Sequence, residues 1–96
     1  MKPESKIENT FVKKVRKSKY PAVALKLILF SKKGFPDRTI LGNGKVFFIE
    51  FKTGNEKLRP LQRKWKRILT KLGFKYYVCY TAKEAFEIFK REMDSA

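Results

Sequence analysis

Residues 34–52, GFPDRTILGNGKVFFIEFK, decide how this chain folds. From Lys45 to Lys52 aromatic and β-branched residues dominate, which favours a strand, and strand side chains alternate faces with a period of two. Phe47, Ile49 and Phe51 then share one wholly apolar face that must be buried, and that burial pins the register. Glu50 and Lys52 point the other way, together with Val46 and Phe48. Gly42-Asn43-Gly44 is a hairpin signal, so the short apolar segment from Arg38 to Leu41 folds back on this strand and can bring Asp37 near Glu50. Pro36 holds Phe35 extended and stiffens the approach to Asp37.

Two carboxylates beside a lysine suit a divalent cation, because hard oxygen ligands hold Mg²⁺ while the ammonium orients a water or offsets charge developing on a phosphate. The plainer reading makes Glu50 and Lys52 a same-face ion pair on a solvated strand, and Asp37 a turn-former after proline. Val46 and Phe48 weigh against it. They make one half of that face apolar, so the charges begin where a cleft would open.

The 96 residues allow one domain with one modest core, near the size at which an oligomer interface often adds stability. With 24 basic residues against 9 acidic ones, the formal charge is +15. Such a charge attracts polyanions and makes binding salt-sensitive, so nucleic acid is the expected partner. No apolar run approaches the roughly 20 residues of a spanning helix and no signal peptide pattern is present, so a cytoplasmic protein is expected, not a membrane one. A single cysteine, Cys79, leaves no intrachain disulfide or thiolate cluster, and it reads as a core thiol. The absence of histidine removes zinc triads and Ser-His-Asp catalysis. Any hydrolysis must run on carboxylates, lysine and metal.

Elsewhere the spacing of Ile7, Phe11 and Val15 predicts a helix over Ser5 to Lys17 with a basic outer face. Ser5 and Glu8 fit a capping box at its start, although Glu8 also borders the buried side and could look into a cleft. Ala22 to Phe30 is a near-continuous apolar run, the pattern of a central strand covered on both faces. Lys26 interrupts it, either snorkelling to solvent or meeting a phosphate. Pro60 opens a second helix, on which Leu61, Trp65, Ile68 and Leu72 form a stripe expected to be buried, and Gly73 ends it. The other faces of that helix carry Arg59, Arg63, Lys64, Lys66, Arg67 and Lys71, suited to phosphate backbone. Phe74 to Tyr80 reads as a further strand, and a Thr81–Glu84 capping box opens a last helix through Met93 with Ala85, Phe86, Phe89 and Met93 inward. The order is therefore α-β-β-β-α-β-α.

This order resembles the PD-(D/E)xK nuclease superfamily, and within it the virus-type replication-repair nuclease (VRR-NUC) family. The residues that carry the likeness are Glu8, Gly34-Phe35-Pro36-Asp37-Arg38, Phe48-Ile49-Glu50-Phe51-Lys52 and Leu58-Arg59-Pro60-Leu61-Gln62. The resemblance implies an α/β fold, a restriction-endonuclease-like αβββαβ core with an extra C-terminal helix, forming one nuclease domain over residues 1–96. It implies Mg²⁺ or Mn²⁺ held by Asp37, Glu50 and the main-chain carbonyl of Phe51, with Glu8 added through a water. Lys52 becomes the catalytic lysine, Gln62 its neighbour, and Glu8 a site residue before it is a cap. Lys26, Lys32, Lys33, Arg38, Arg59, Arg63 and Lys66 are the DNA contacts expected around that site.

The activity implied is metal-dependent cleavage of branched or flapped DNA. Short stand-alone members look like Holliday junction resolvases, whereas the domain fused in a large eukaryotic crosslink-repair nuclease acts on flaps. A four-way junction has two-fold symmetry, so a homodimer is expected in a bacterial or phage-infected cell, with Tyr76, Tyr77 and Tyr80 as the first place to seek its interface. The alternatives are a flap or duplex nuclease of the same fold and a basic nucleic-acid-binding module without chemistry.

Overall fold

A computed structural model describes residues 3–28 and 32–95. Seven elements follow in the order α1 (Pro3–Lys17), β1 (Ala22–Leu25), β2 (Arg38–Gly42), β3 (Lys45–Phe51), α2 (Pro60–Lys71), β4 (Lys75–Cys79) and α3 (Ala82–Asp94). The strands form one sheet in the order β1-β2-β3-β4, antiparallel except for the parallel β3–β4 pair that α2 connects. This is the predicted α/β order.

The hairpin forms as its sequence requires. Gly42 pairs with Lys45, and the two residues between them, Asn43 and Gly44, both have positive φ, 51° and 69°. A two-residue turn of this hand matches the twist of the strands it joins. Phe47, Ile49 and Phe51 are at most 1% exposed and pack with Ile40 against Phe11 and Val15 of α1 and Phe89 and Met93 of α3. On the opposite face Phe48 meets Phe35 and Phe74 edge to face, each with ring centroids 5.7 Å apart, and Phe35 meets Trp65 of α2 at 5.2 Å. This second, smaller aromatic cluster lies on the same sheet face as Glu50 and Lys52. Gly34 brings the Pro36-Asp37 loop against α2: a Cβ there would lie 2.7 Å from the backbone carbon of Leu61, and its φ of 88° suits glycine alone.

Three expectations are corrected. β1 is not a central strand over Ala22 to Phe30 but a four-residue edge strand, with Val23 45% exposed; residues 29–31 lie outside the described residues. Its partner sets its length, since the β1–β2 pairing ends at Leu25↔Thr39 and β2 begins only one residue earlier, after Pro36 and Asp37. The α2 stripe is only partly covered: Leu61 and Leu72 are 46% and 66% exposed, and Leu69 is the buried residue of that helix. α2 rests on β4, which reaches only one side of it.

The capping box at Ser5 does not form, because α1 already starts at Pro3 and Glu8 lies inside the helix. Of the three tyrosines named for an interface, Tyr77 and Tyr80 hydrogen-bond within the chain. The Tyr77 hydroxyl donates to buried Glu92, the Tyr80 hydroxyl donates to the Glu56 carbonyl at 2.7 Å, and Tyr76 is partly buried beneath α2's side of the sheet. In α3 the Thr81–Glu84 cap does form, with the Glu84 N–H donating to Thr81 Oγ1 at 3.0 Å, while the Glu84 carboxylate accepts the Tyr80 N–H.

Candidate active site

At the end of β3, two consecutive outward positions are withdrawn from solvent. Glu50 is 3% exposed and Lys52 is 2% exposed, a charged pair buried on a face whose other members are apolar. Lys52 Nζ lies 3.8 Å from Glu50 Oε2. Gln62, at the third position of α2, joins them. Its side-chain oxygen accepts the Arg59 N–H at 2.8 Å, so its NH₂ turns to Glu50 and donates to Oε2 at 3.0 Å. The glutamine therefore caps the helix with one end and orients the acid with the other.

Asp37 arrives from the start of β2. Its Oδ2 accepts the Phe51 N–H at 2.8 Å, which fixes the carboxylate beside the residue between Glu50 and Lys52. Burial pushes the Asp37 pKa up, the Phe51 N–H works against that, and the charge of Glu8 raises it further. Glu50 is pushed up to about 8, first by burial and then by the charge of Asp37, with Lys52 opposing. A buried and a half-buried acid that disfavour each other's charge form a site short of positive charge. Glu50 Oε1 is buried with no hydrogen-bond partner among the described residues. An orphaned carboxylate oxygen beside a second acid is what a divalent cation would satisfy, so these residues fit Mg²⁺ or Mn²⁺.

A cleft of about 200 Å³ opens at Asp37, lined also by Glu8, Lys26, Phe51, Lys52, Arg59 and Gln62 among others, with Glu50 behind its wall on Gln62 and Lys52. Five predicted site residues thus meet in one place: Asp37, Glu50, Phe51, Lys52 and Gln62. Glu8 lines the same cleft but does not join the carboxylate pair. Its Oε2 accepts from Arg38 Nε at 2.6 Å and lies 3.5 Å from Lys26 Nζ. Among the described residues no three acids lie close enough to share one metal ion directly. The physical reason is Arg38, whose second donor reaches the Ala24 carbonyl at 3.2 Å and so ties α1, β1 and β2 together through Glu8.

The expected DNA contacts divide. Lys26 and Arg59 border the cleft. Arg38 is turned inward, with its side chain 14% exposed. Arg63 is exposed and donates to the Leu58 carbonyl at 2.7 Å. Lys32 and Lys33 line a separate groove of about 340 Å³ along α2 with Leu61, Lys64, Trp65 and Ile68, and Lys66 is exposed on the same helix. Sequence reasoning missed Thr39 and Tyr76, whose hydroxyls are buried without partners on the sheet face of Glu50. Their strand phase, two residues from the site positions, was the available signal. It also missed Glu92, a buried acid of α3 that Lys75 meets at 3.1 Å on the far side of the sheet's end.

Comparison with known proteins agrees with this geometry. The profile of the VRR-NUC domain matches residues 3–83. Over 76 residues the chain is 37% identical to "Putative nuclease p44" of Acyrthosiphon pisum secondary endosymbiont phage 1, covering 78% of this chain and 80% of that protein. A solved structure of a VRR-NUC domain has the same fold, with a TM-score of 0.76 over 91% of this chain and 94% of that one at 22% identity. On the matched profile and the phage relative, the chain belongs to the VRR-NUC family of nucleases.

Proposed function

We propose that the protein is a Mg²⁺- or Mn²⁺-dependent, structure-specific DNA endonuclease that hydrolyses phosphodiester bonds in branched DNA, with four-way junctions as its substrate. The observation that carries this reading is buried Glu50 beside half-buried Asp37: one Glu50 oxygen has no partner among the described residues, and the other lies 3.8 Å from buried Lys52. Asp37, Glu50 and the Phe51 carbonyl would hold the cation, and Glu8, held by Arg38, would bear on it through the field of the cleft. A divalent ion held there polarises a phosphoryl oxygen and offsets the charge that develops on it.

The chain's own residues supply the rest. Lys52 places its amine in a pocket with little solvent, where its interaction with an anionic phosphate is stronger than at the surface. Gln62 fixes the Glu50 carboxylate, and the Phe51 N–H fixes that of Asp37. Lys26 and Arg59 at the rim receive the flanking backbone phosphates. Water attacks phosphorus in line; a P–O bond to one sugar breaks, leaving a phosphate on one strand end and a hydroxyl on the other.

The two-fold symmetry of a four-way junction calls for two such sites, so a homodimer acting inside a bacterial or phage-infected cell belongs to this reading. Val23, Leu41 and Val46, neighbours across three strands and each at least 36% exposed, offer an apolar row on the open half of the sheet for that contact. No helix among the described residues is long and apolar enough to cross a membrane. Incubation with labelled junction, flap and linear duplex, with Mg²⁺ or chelator, tests the proposal. Paired nicks in the junction alone support it. Cutting of flap or duplex in preference changes the substrate, and binding without cutting under any metal leaves only a basic DNA-binding module.

A further inference from the structure

The outer face of α1 forms a second basic groove, apart from the cleft and, except for Arg38, from the residues assigned to DNA above. It has a volume of about 480 Å³ and is lined by Lys6, Lys13, Arg16 and Arg38, with no acidic residue among its described lining. Lys6, Lys13 and Arg16 are exposed. We propose that this groove binds the sugar-phosphate backbone of a second DNA arm while another arm occupies the Asp37–Glu50 cleft, an inference that rests on the nuclease reading of that cleft.

Direction carries the argument. At about 100° per helical residue, Lys6, Asn9, Lys13 and Arg16 lie within about 80° of one another and are centred roughly 120° around α1 from Glu8. Glu8 lines the cleft, so groove and cleft open on different sides of one helix. A straight duplex seated in the cleft runs past the groove without entering it, whereas the diverging arms of a branch fill both. The two are nevertheless adjacent, because Arg38 lines the groove while its Nε is held by Glu8 of the cleft at 2.6 Å. Length agrees as well. Lys6 and Arg16 are ten residues apart, about 15 Å along the helix, the distance over which a duplex advances about four base pairs along its axis at roughly 3.4 Å each. The ordinary fate of a charged helix face is to be solvated. Here the charges line a concavity and are of one sign.

The test is the salt dependence of binding, measured in chelator so that nothing is cut, for a four-way junction and for a linear duplex as long as one arm. Each phosphate contact contributes about 0.9 to the slope of log K against log salt. In the variant combining Lys6→Gln, Lys13→Gln and Arg16→Gln, the junction slope should fall by about 2–3 and junction affinity at least tenfold. The duplex slope should not change. The single control Lys14→Gln, on the side of α1 that faces Phe86, should leave both slopes unchanged, whereas the single groove variant Lys13→Gln, which removes the same charge, should lower the junction slope by about 0.9. An equal loss on both substrates overturns the proposal, because the groove then merely prolongs one duplex. No loss on either, or an equal loss in the control, overturns it as well. Wild-type cutting of the same DNAs in Mg²⁺ reports separately on the nuclease reading.

Discussion

The Asp37 carboxylate and the Phe51 backbone N–H are 2.8 Å apart, so the first acid of the site is locked to the strand that carries the second acid and the lysine. Asparagine can accept the same N–H through its side-chain oxygen but brings no charge. Asp37→Asn should therefore leave thermal stability within a few degrees of the parent while weakening Mn²⁺ binding and cleavage by 100-fold or more. Calorimetric titration of Mn²⁺ alongside a melting curve checks both. Tight Mn²⁺ binding by this variant would show that the cation is held elsewhere.

Glu50 carries a pH signature. Its folded pKa of about 8 exceeds the ordinary 4.5, so between those values the native state holds a proton that the unfolded state has released. Its contribution to stability is therefore fully present below about pH 4.5 and lost as pH rises through about 8. In chelator the melting temperature should fall across that window. Glu50→Gln should abolish this fall and be the more stable protein at pH 8, by on the order of a few kcal/mol. Adding Mn²⁺ to the wild type should restore the loss, because ligation favours the charged native form. A flat wild-type profile would contradict the burial argument.

Arg38 is assigned to the fold by its contacts with Glu8 and the Ala24 carbonyl. Arg38→Met leaves Glu8 buried with only Lys26 at 3.5 Å, and should cost about 3 kcal/mol, a drop of 10 °C or more in a domain of this size. A second replacement, Glu8→Gln in the Arg38→Met background, should recover part of it. Denaturant unfolding of the two variants decides the point; full stability of Arg38→Met would make the ion pair incidental.

Gln62 orients Glu50, so Gln62→Ala should lower cation affinity about 10- to 100-fold, as loss of an outer partner does, and cost about 1 kcal/mol of stability through the lost bonds. Its effect on cleavage should shrink at saturating Mn²⁺. A defect that no Mn²⁺ concentration reduces would place Gln62 in contact with the DNA instead.

Much of this was legible in the sequence where local signals and burial agreed. The hairpin followed from Asn43-Gly44 and the alternation of Phe47 to Lys52, and that register alone put Glu50 and Lys52 side by side. Gln62 became informative only through the family pattern, since a polar residue in a first helical turn has no signature of its own. The misreadings arose where tertiary partners decide. An apolar run from Ala22 looks like a central strand, but the pairing stops where β2 starts. The α2 stripe has helical periodicity whether or not a neighbour covers it. Ser5 and Glu8 have the spacing of a cap, yet Arg38, 30 residues away, claims the carboxylate.

Lys52 is the sharpest test of all, because a lysine 2% exposed and 3.8 Å from Glu50 is a costly residue to bury for the fold alone. Single-turnover cleavage of a labelled four-way junction in Mg²⁺, by wild type and by the near-isosteric Lys52→Met, measures its role in chemistry directly. The account predicts unchanged junction affinity and a cleavage rate lower by at least 100-fold in the variant. Cleavage by Lys52→Met within threefold of wild type would contradict it.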